Sequence, residues 1–363
     1  RPYQKNNYFF NPDDNLDYVA STGYAQLRAF QSNMYLFQYV HSNNFVGRVL
    51  AKCTGSNYPA INSSDLSKIK VEIPKPKEQQ KIASCLSSLD ELITAHKDKL
   101  DTLKAHKKGL MQNLFPKEGE KVPKYRFQEF EDDGEWVERS LEDTCNLVRG
   151  PFGGALKKEI FVKKGYVVYE QSHAIYGDFD FFRYYINDEK FSELIRFSIK
   201  PGDLIMSCSG TMGKFAIIPQ DFEVGVINQA LLKLTVKKGY DNLFVKMSLE
   251  TDNNQNKLLS QSAGGAIKNV VSVSQIRKLS LFIPKLKEQQ KIVSCLSVLD
   301  ELITAQAEKI EQLQQHKKGL MQGLFPVKTQ NIASQDIASQ DITPKNTAPQ
   351  NIATQPQQHE QKI

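Results

Sequence analysis

The sequence lacks the features that mark several special classes of protein. No apolar run reaches the ~18 residues that a membrane span requires. The 40% hydrophobic and 24% charged residues are typical of a globular chain rather than a fibrous or disordered one. The five cysteines show no Cys-x-x-Cys spacing, which argues against a zinc site and a disulfide framework. We therefore expect a cytoplasmic chain with reduced thiols and no membrane contact.

Residue patterns for catalysis are equally scarce. The six histidines occur in no metal-ligand spacing, so we expect no metal site. Residues 207–214 are similar to a phosphate-binding loop, but Cys208 replaces its first glycine and Phe215 replaces the Ser or Thr after the lysine. We expect a strand and a turn there instead. Residues 11–14 begin with Asn-Pro but lack the aromatic residue that would stack on a flipped base. The sequence therefore predicts no catalytic residue and no cofactor bound to this chain.

What the sequence does contain is an internal repeat at an offset of 210 residues. Residues 73–116 and 283–326 are identical at 32 of 44 positions without a gap. In both copies apolar residues recur at alternating steps of four and three, which is the pattern of a coiled coil. The predicted apolar seam consists of Ile82, Leu86, Leu89, Ile93, Leu100, Leu103 and Leu110 in the first copy and Ile292, Leu296, Leu299, Ile303, Ile310, Leu313 and Leu320 in the second.

Polar residues interrupt both seams at the same two steps. His96 corresponds to Gln306, and Lys107 corresponds to Lys317. Matched polar interruptions are typical of devices that fix the register between paired helices. The alternative is an ordinary helix packed inside a bundle, for which such a match has no particular role.

Prolines delimit the two predicted helices. Pro74 and Pro76 precede the first, Pro284 precedes the second, and Pro116 and Pro326 end them. About 36 residues at a rise of ~1.5 Å give a rod of roughly 54 Å. If both helices span the same gap, they must lie antiparallel. That arrangement predicts two lobes at opposite ends of a two-helix rod, related by a pseudo-twofold axis.

The sequence between the helices predicts an α+β lobe. Short β-type runs in residues 124–282 alternate with turns rich in Gly and Pro. A helix is expected at about 241–260 and a final strand near 279–283. The β-type runs are Trp136, Leu141, Val148, Tyr166–Tyr169, Leu204–Ser207, 216–218 and Leu231–Val236.

The repeat extends weakly into residues 1–72. Residues 55–66 are similar to 265–276, and residues 23–28 are similar to 227–233. Residues 1–72 therefore resemble the C-terminal half of the second lobe. By this comparison about 80–90 residues of the first lobe are missing, which agrees with the absent N-terminal Met and predicts a parent chain of about 450 residues.

The end of the chain has a different composition. Residues 331–355 are five pentamers, NIASQ, DIASQ, DITPK, NTAPQ and NIATQ. Small, polar and Pro-containing repeats cannot bury a core, so we predict that residues 327–363 are disordered.

Loops of the second lobe mix basic, amide and hydroxyl groups. In the major groove of DNA, Arg binds guanine and Asn or Gln binds adenine, while Lys and Ser bind phosphates. At each position a plain solvated loop is the alternative. The candidate DNA-binding residues are Arg28, Arg149, Lys157, Lys158, Gln171, Ser172, Ser209, Thr211, Lys214, Asn228, Gln229, Lys268 and Asn269.

The chain resembles the DNA-specificity subunits of type I restriction–modification systems over residues 1 to about 326. The resemblance rests on the motifs EQQKI-x-SCL-S-x-LDELITA and HKKGLMQ-x-LFP, which occur in both copies after an Ile-Pro pair. It implies an α+β fold with two target-recognition domains, the first incomplete, separated by an antiparallel pair of long conserved coiled-coil helices. The implied segments are target-recognition domain 1 at 1–72, spacer helix 1 at 73–116, target-recognition domain 2 at 117–282, spacer helix 2 at 283–326 and the tail at 327–363.

The resemblance also implies a function and partners. In that family the subunit is not catalytic, and each recognition domain binds one half of a split target in double-stranded DNA. Two modification subunits methylate adenine at N6, and restriction subunits translocate and cut the DNA. We therefore expect S-adenosylmethionine, ATP and magnesium to be bound by partner subunits.

Two alternatives remain open at this point. Instead of a separate specificity subunit, the chain could be the specificity module of a fused methyltransferase–nuclease. It could also be a coiled-coil structural protein without DNA contact. The net charge of +6 does not separate them, because it is modest for a DNA-binding protein.

Overall fold

The computed structural model describes most of the chain. The described residues are 6–11, 16–21, 23–55, 59–152, 154–260 and 273–325. The predicted tail at 327–363 and the candidate residues Lys268 and Asn269 lie outside them. The chain divides into two compact units, the first comprising residues 1–82 with 320–363 and the second residues 83–319.

Membrane spans and metal clusters are both absent from this part of the chain. None of its helices is long and apolar enough to span a bilayer. Its His, Cys, Asp and Glu side chains form no group of three or more that is placed to hold a metal ion. All five cysteines are free thiols.

The first unit contains three short helices and the outer ends of two long ones. Each short helix starts at a side chain that accepts a hydrogen bond from the first turn, as preferred N-cap residues do. Its aromatic core joins Phe325 to Tyr35 and Tyr39, at centroid distances of 5.8 and 5.4 Å. The helices are α1 (Asn33–Val40), α2 (Asn43–Leu50), α3 (Ser63–Ser67) and the start of α4 (Pro76–Leu114).

The second unit contains every strand of the described chain. The strands are β1 (Val137–Ser140), β2 (Cys145–Arg149), β3 (Tyr166–Tyr169), β4 (Tyr185–Ile186), β5 (Leu204–Ser207), β6 (Phe215–Ile217), β7 (Gly225–Ile227), β8 (Leu231–Val236) and β9 (Ser280–Ile283). The helices are most of α4, α5 (Leu141–Thr144), α6 (Gln171–Tyr176), α7 (Asp188–Glu193), α8 (Asn242–Leu249), α9 (Asp252–Ser260), α10 (Val273–Arg277) and most of α11 (Leu286–Leu324). Short 3-10 turns occupy Gln128–Asp133, Lys158–Ile160 and Ile195–Phe197.

The strands form three small sheets. An antiparallel sheet has the order β2-β8-β5-β6, and a mixed sheet has the order β4-β3-β7 with β3 and β7 parallel. The third sheet is the antiparallel pair of β1 and β9, in which Val137 lies opposite Ile283. This pair joins the start of the lobe to its end, next to the start of α11.

The C-terminal end of α4 and the N-terminal end of α11 contribute to the core of the lobe. Trp136 and Phe244 are fully buried and pack in one cluster with Phe115, which follows α4. Ile292 and Leu296 of α11 belong to the same cluster. Burying such side chains contributes about 1.5–3 kcal/mol each. The lobe is therefore fixed to both helices by apolar packing.

The structure confirms the α+β fold and the two long helices, and it corrects three local predictions. Leu141 begins the one-turn helix α5 rather than a strand, because Ser140 and Asp143 form a capping box. The single helix predicted at about 241–260 is two helices, because the Ser248 carbonyl accepts from the Asn254 side chain where the chain turns. Pro76 is the first residue of α4 rather than a residue before it, a position at which proline loses no helix hydrogen bond.

The weak repeat between residues 23–28 and 227–233 is a similarity of sequence that the described secondary structure does not share. Residues 23–28 form no strand, although 227–233 lead into β8. In the second unit β8 is paired on both sides, with β2 and β5. The described residues of the first unit provide no strand that pairs with 23–28, so the similarity of sequence does not produce a similar strand.

Candidate nucleic-acid interface

The two long helices pair along the predicted seam. Each has 39 residues, or about 58 Å at the usual rise per residue. Every seam residue is buried or half-buried. Contacts between α4 and α11 run in opposite sequence directions, since Asp90 meets Lys317 whereas Lys107 meets Asp300. The helices are therefore antiparallel.

The pairing has an internal symmetry that the repeat makes visible. Exchanging each residue for its repeat equivalent converts the pair of Lys107 and Asp300 into that of Lys317 and Asp90. His96 and Gln306 are repeat equivalents of each other, and the Gln306 amide donates to the His96 ring at 2.7 Å and to its carbonyl at 2.8 Å. A pseudo-twofold axis therefore passes between these two side chains.

In the lobe, the termini of three neighbouring strands lie at the same end of the four-stranded sheet. β2 ends at Arg149, β5 ends at Ser207 and β8 begins at Leu231, because β8 runs antiparallel to both neighbours. The Cys208 amide donates to the Ala230 carbonyl at 2.9 Å, which ties the loop after β5 to the turn before β8. Arg149, Ser209, Thr211, Lys214, Asn228 and Gln229 therefore lie together on one end of the lobe.

Gly150 lets the chain after β2 pass close to the turn before β8. A Cβ atom at this position would lie 1.8 Å from the Asn228 carbonyl oxygen. Only glycine fits such an approach, so the convergence of the two loops depends on this residue.

We predict that Gly150→Ala lowers the free energy of unfolding by about 1–3 kcal/mol, since the backbone must shift to relieve the clash. Urea unfolding followed by the fluorescence of the single tryptophan, which lies in the core of this lobe, measures the effect. The control is Gly109→Ala in α4, where the added Cβ meets nothing within 4 Å. It is expected to raise stability by about 0.5–1 kcal/mol. A Gly150→Ala chain as stable as the original would contradict the predicted close approach.

Gln171 is held by the same group of loops. Its amide nitrogen donates to the Ser209 carbonyl, and its amide oxygen accepts from the Ser209 hydroxyl at 2.9 Å. Both ends of the side chain are thus engaged within the protein. Gln171 therefore stabilises the loop after β5. Its amide has less hydrogen-bonding capacity left for DNA than we expected from the sequence.

Arg149 has unused hydrogen-bonding capacity. Its guanidinium lies 5.7 Å from the Phe152 ring centroid. One terminal nitrogen is buried and has no hydrogen-bond partner among the described residues. A buried donor without an acceptor is costly, which favours a side-chain rotamer that turns this nitrogen towards the surface when an acceptor is present there.

The remaining candidate residues are not drawn into this cluster by any described contact. Lys157 and Lys158 are exposed at a 3-10 turn, and Ser172 is exposed in α6. Arg28 is exposed and belongs to the first unit. The structure therefore groups about half of the sequence candidates.

Exposed aromatic residues near this end of the lobe were missed by the sequence analysis. Phe152, Tyr176 and Phe181 are 67%, 74% and 74% exposed. Phe152 contacts Arg149, and Tyr176 ends the helix that Gln171 begins. No periodicity distinguishes these residues in the sequence. Their local signal is only their position in short segments rich in Gly and Asp.

A buried ion pair was also missed. Arg126 donates two hydrogen bonds to Glu288, at 2.9 and 2.8 Å, and the Trp136 indole donates a third at 3.2 Å. Glu288 is fully buried at the start of α11. Its hydrogen bonds raise the pKa of Arg126. The cluster fixes the segment before β1 to α11.

The two buried thiols of the lobe are poor nucleophiles. Burial raises the pKa of Cys208 to about 12 and that of Cys145 to about 11. Both therefore stay protonated at neutral pH, and the interface presents hydrogen-bonding and charged groups rather than a thiolate.

Comparisons with known proteins agree with this architecture. The family model described as the type I restriction modification DNA specificity domain matches residues 6–105 and 133–315. The putative type I restriction enzyme MjaX specificity subunit of Methanocaldococcus jannaschii is 26% identical over 293 residues, which cover 79% of this chain and 65% of that protein. The chain thus spans slightly less than two thirds of that relative's length.

Solved structures show the same fold. The S subunit of a type I restriction-modification system from M. genitalium aligns with a TM-score of 0.51 at 14% identity, over 82% of this chain and 73% of that one. A chain from a type I R-M system, solved in a study of complex assembly and conformational transition, aligns with a TM-score of 0.58 at 15% identity, over 80% and 70%. Because the family model covers more than half of its length, the chain belongs to the type I restriction modification DNA specificity family.

Proposed function

We propose that the chain is the sequence-specific DNA-recognition subunit of a type I restriction–modification complex, in which residues 117–282 bind one half of a bipartite target in double-stranded DNA. The observation that carries this proposal is the convergence of Arg149, Thr211, Lys214 and Gln229 at one end of a lobe of this family. The side chains of Thr211, Lys214 and Gln229 are exposed there.

The chemistry of this surface suits DNA. A glutamine amide forms two hydrogen bonds with adenine, and arginine forms two with guanine. Lysine and threonine side chains bind phosphate oxygens and fix the register of the protein on the duplex. The exposed ring of Phe152 beside Arg149 adds an apolar surface for a thymine methyl group.

We further propose that the pair of long helices sets the spacing between the two halves of the target. A helix pair with matched ion pairs and a central hydrogen bond resists sliding along its axis. A fixed rod length permits one number of unspecified base pairs at about 3.4 Å each.

The same helices are the proposed scaffold for the partner subunits. Their pseudo-twofold contacts create two equivalent faces, which fits two copies of a modification subunit. Restriction subunits complete the proposed complex. In this proposal the partner subunits bind S-adenosylmethionine, ATP and magnesium. The free thiols agree with a cytoplasmic location.

A gel-shift series on the reconstituted complex tests the proposal. The duplex that carries the split target is compared with duplexes in which either half is scrambled. Tighter binding to the intact target supports sequence recognition. Equal affinity for all three duplexes would refute it.

We predict that Gln229→Ala weakens binding through the half-target of this lobe by about 1–3 kcal/mol, because one pair of base contacts is lost. Affinities for duplexes with single-base changes in each half-target measure the effect. Gln220→Ala is the matched control, since Gln220 is exposed in the loop between β6 and β7, away from the cluster. Equal losses of discrimination at both half-targets would show that residues 117–282 do not serve one half alone.

A further inference from the structure

The loop between β5 and β6, residues 208–214, is held by a glutamine side chain on each side. On one side, the Gln171 amide of α6 donates to the Ser209 carbonyl. On the other side, the Gln255 amide of α9 donates to the Gly213 carbonyl at 3.0 Å. Two helices that are distant in sequence thus fix the two ends of one short loop.

The helix that carries Gln255 is a rigid support. Leu258 of α9 is buried in the core of the lobe. At the start of α9, the Asp252 carboxylate accepts from the Gln112 amide of α4 at 3.1 Å. The Gln255 amide also donates to the Leu249 carbonyl at 2.8 Å, which fixes the orientation of this side chain. The loop is therefore held by an element that is itself anchored to the core and to α4.

The engaged carbonyls determine where an amide group of the loop points. The carbonyl of one residue and the N–H of the next lie in one plane and point in opposite directions across a trans peptide bond. Since the Ser209 carbonyl faces Gln171, the N–H of Gly210 points away from Gln171. None of the described residues accepts a hydrogen bond from this N–H. Gly210 has a φ of +58°, a conformation that glycine adopts readily.

Three donors therefore lie on the outer side of the loop, namely the Gly210 N–H, the Thr211 hydroxyl and the Lys214 ammonium. All three residues are exposed, and within the described chain no ion pair or side-chain hydrogen bond engages this hydroxyl or this ammonium. The guanidinium of Arg149 lies beside the Cys208 thiol at the base of the loop and adds a second positive charge. Backbone N–H groups, hydroxyls and ammonium groups are the donors that bind phosphate oxygens.

We propose that Gly210, Thr211 and Lys214 together bind one phosphate group of the DNA backbone. Gln171 and Gln255 are positioning residues, which act on the loop carbonyls rather than on the DNA. A loop that is fixed before binding loses less conformational freedom when it binds, so the two glutamines strengthen the phosphate contact. The proposal rests on the proposed DNA-binding role of this lobe and adds a contact that is independent of base sequence.

The salt dependence of DNA binding by the reconstituted complex tests the phosphate contact. Each phosphate that a lysine neutralises contributes about 0.9 to the slope of log K against log[salt]. Lys214→Met should therefore lower this slope by about 0.9 on the intact target and on a scrambled duplex alike, because phosphates carry no base sequence. Lys238→Met is the matched control and should leave the slope unchanged, since Lys238 is exposed at the opposite end of β8.

Gln255→Met tests the positioning role, because it removes the amide at nearly constant volume and leaves every charge in place. We expect it to lower the slope by about 0.5–0.9, and Gln255→Ala is the second variant should the methionine disturb packing. Adding Lys214→Met should lower the slope no further than Lys214→Met alone, since both changes remove one contact. A general loss of stability lowers the folded fraction without this change of slope. Asn256→Ala, at the exposed neighbouring position, is the control.

Duplexes in which single phosphates are replaced by uncharged methylphosphonates locate the contact. At one position the replacement should weaken binding of the original chain about tenfold or more, because the donors lose a charged acceptor. The same replacement should have a smaller effect on the Lys214→Met and Gln255→Met chains. A matched reduction of this kind identifies the group on the DNA that the loop binds.

Two outcomes would overturn the proposal. An unchanged slope for Lys214→Met would show that the loop binds no phosphate. A slope that falls for Lys214→Met but for neither variant of Gln255 would show that this glutamine does not position the loop. Failure of the proposed function has a different signature, namely equal affinity for intact and scrambled targets with slopes that still respond to Lys214→Met.

Discussion

Replacing Arg126 by alanine is expected to lower the free energy of unfolding of the lobe by about 3–5 kcal/mol. The substitution leaves the fully buried carboxylate of Glu288 without its charged partner. The Trp136 indole still donates one hydrogen bond, but a single neutral donor does not compensate a buried charge. Urea unfolding followed by the fluorescence of Trp136 measures the loss directly in the core concerned.

The expected size of this effect depends on burial, which a matched control isolates. Lys121 and Glu135 form an ion pair at 3.0 Å in the same segment, but both side chains are more than half exposed. Lys121→Ala is therefore expected to cost less than about 1 kcal/mol. Adding Glu288→Gln to the Arg126→Ala chain should recover part of the stability, because it removes the unpaired buried charge. The amide oxygen of the glutamine can still accept from Trp136. A loss below about 1 kcal/mol for Arg126→Ala would contradict the role of this pair.

Shortening both long helices by one heptad at the pseudo-twofold axis is expected to shorten the gap in the DNA target. Deleting residues 93–99 and 303–309 together keeps the seam steps and both ion pairs, because the two deletions lie opposite each other. Seven residues correspond to about 10.5 Å of helix and therefore to about three base pairs. The two half-targets themselves should stay the same.

The affinity of the shortened chain should also fall. Three base pairs change the rotation between the half-targets by about 100°, since the duplex turns once in about 10–10.5 base pairs. A heptad returns to the same helix face, so twisting of the DNA or protein must supply that rotation. Binding to duplexes with a series of gap lengths measures both effects. An unchanged optimal gap would contradict the proposal that the helices set the spacing.

The helices were predictable from the sequence, whereas their exact contacts were not. The steps of four and three that contain Leu86 and Leu89 are a local property and predict a helix with one apolar face. The ion pair of Lys107 and Asp300 depends on how far one helix slides along the other. This axial offset is set by packing along the whole seam, so it cannot be predicted from the residues around Lys107 or Asp300 alone.

The candidate interface was predictable only in part, for a related physical reason. Arg149 and Gln229 were identified by residue type, but they are 80 positions apart in sequence. They meet because β2 and β8 are antiparallel neighbours and because Gly150 admits the Asn228 carbonyl. Strand pairing of this kind depends on the whole sheet rather than on the neighbouring residues.

The buried pair at Glu288 shows a different limit. Its sequence surroundings differ from those of Glu78 only by Leu286 in place of Pro76, yet one carboxylate is fully buried and the other is exposed. A nearly identical local sequence therefore does not determine burial when the covering segment comes from elsewhere in the chain. Arg126 and Trp136 belong to no periodic pattern in the sequence from which their contact with Glu288 could be predicted.

The proposal that this chain confers bipartite sequence specificity is tested most directly by mapping methylated adenines in the DNA of a host that produces it with its modification subunits. We predict a motif of two specified parts separated by a constant number of unspecified base pairs. A single continuous motif, or two parts at variable spacing, would contradict the proposal.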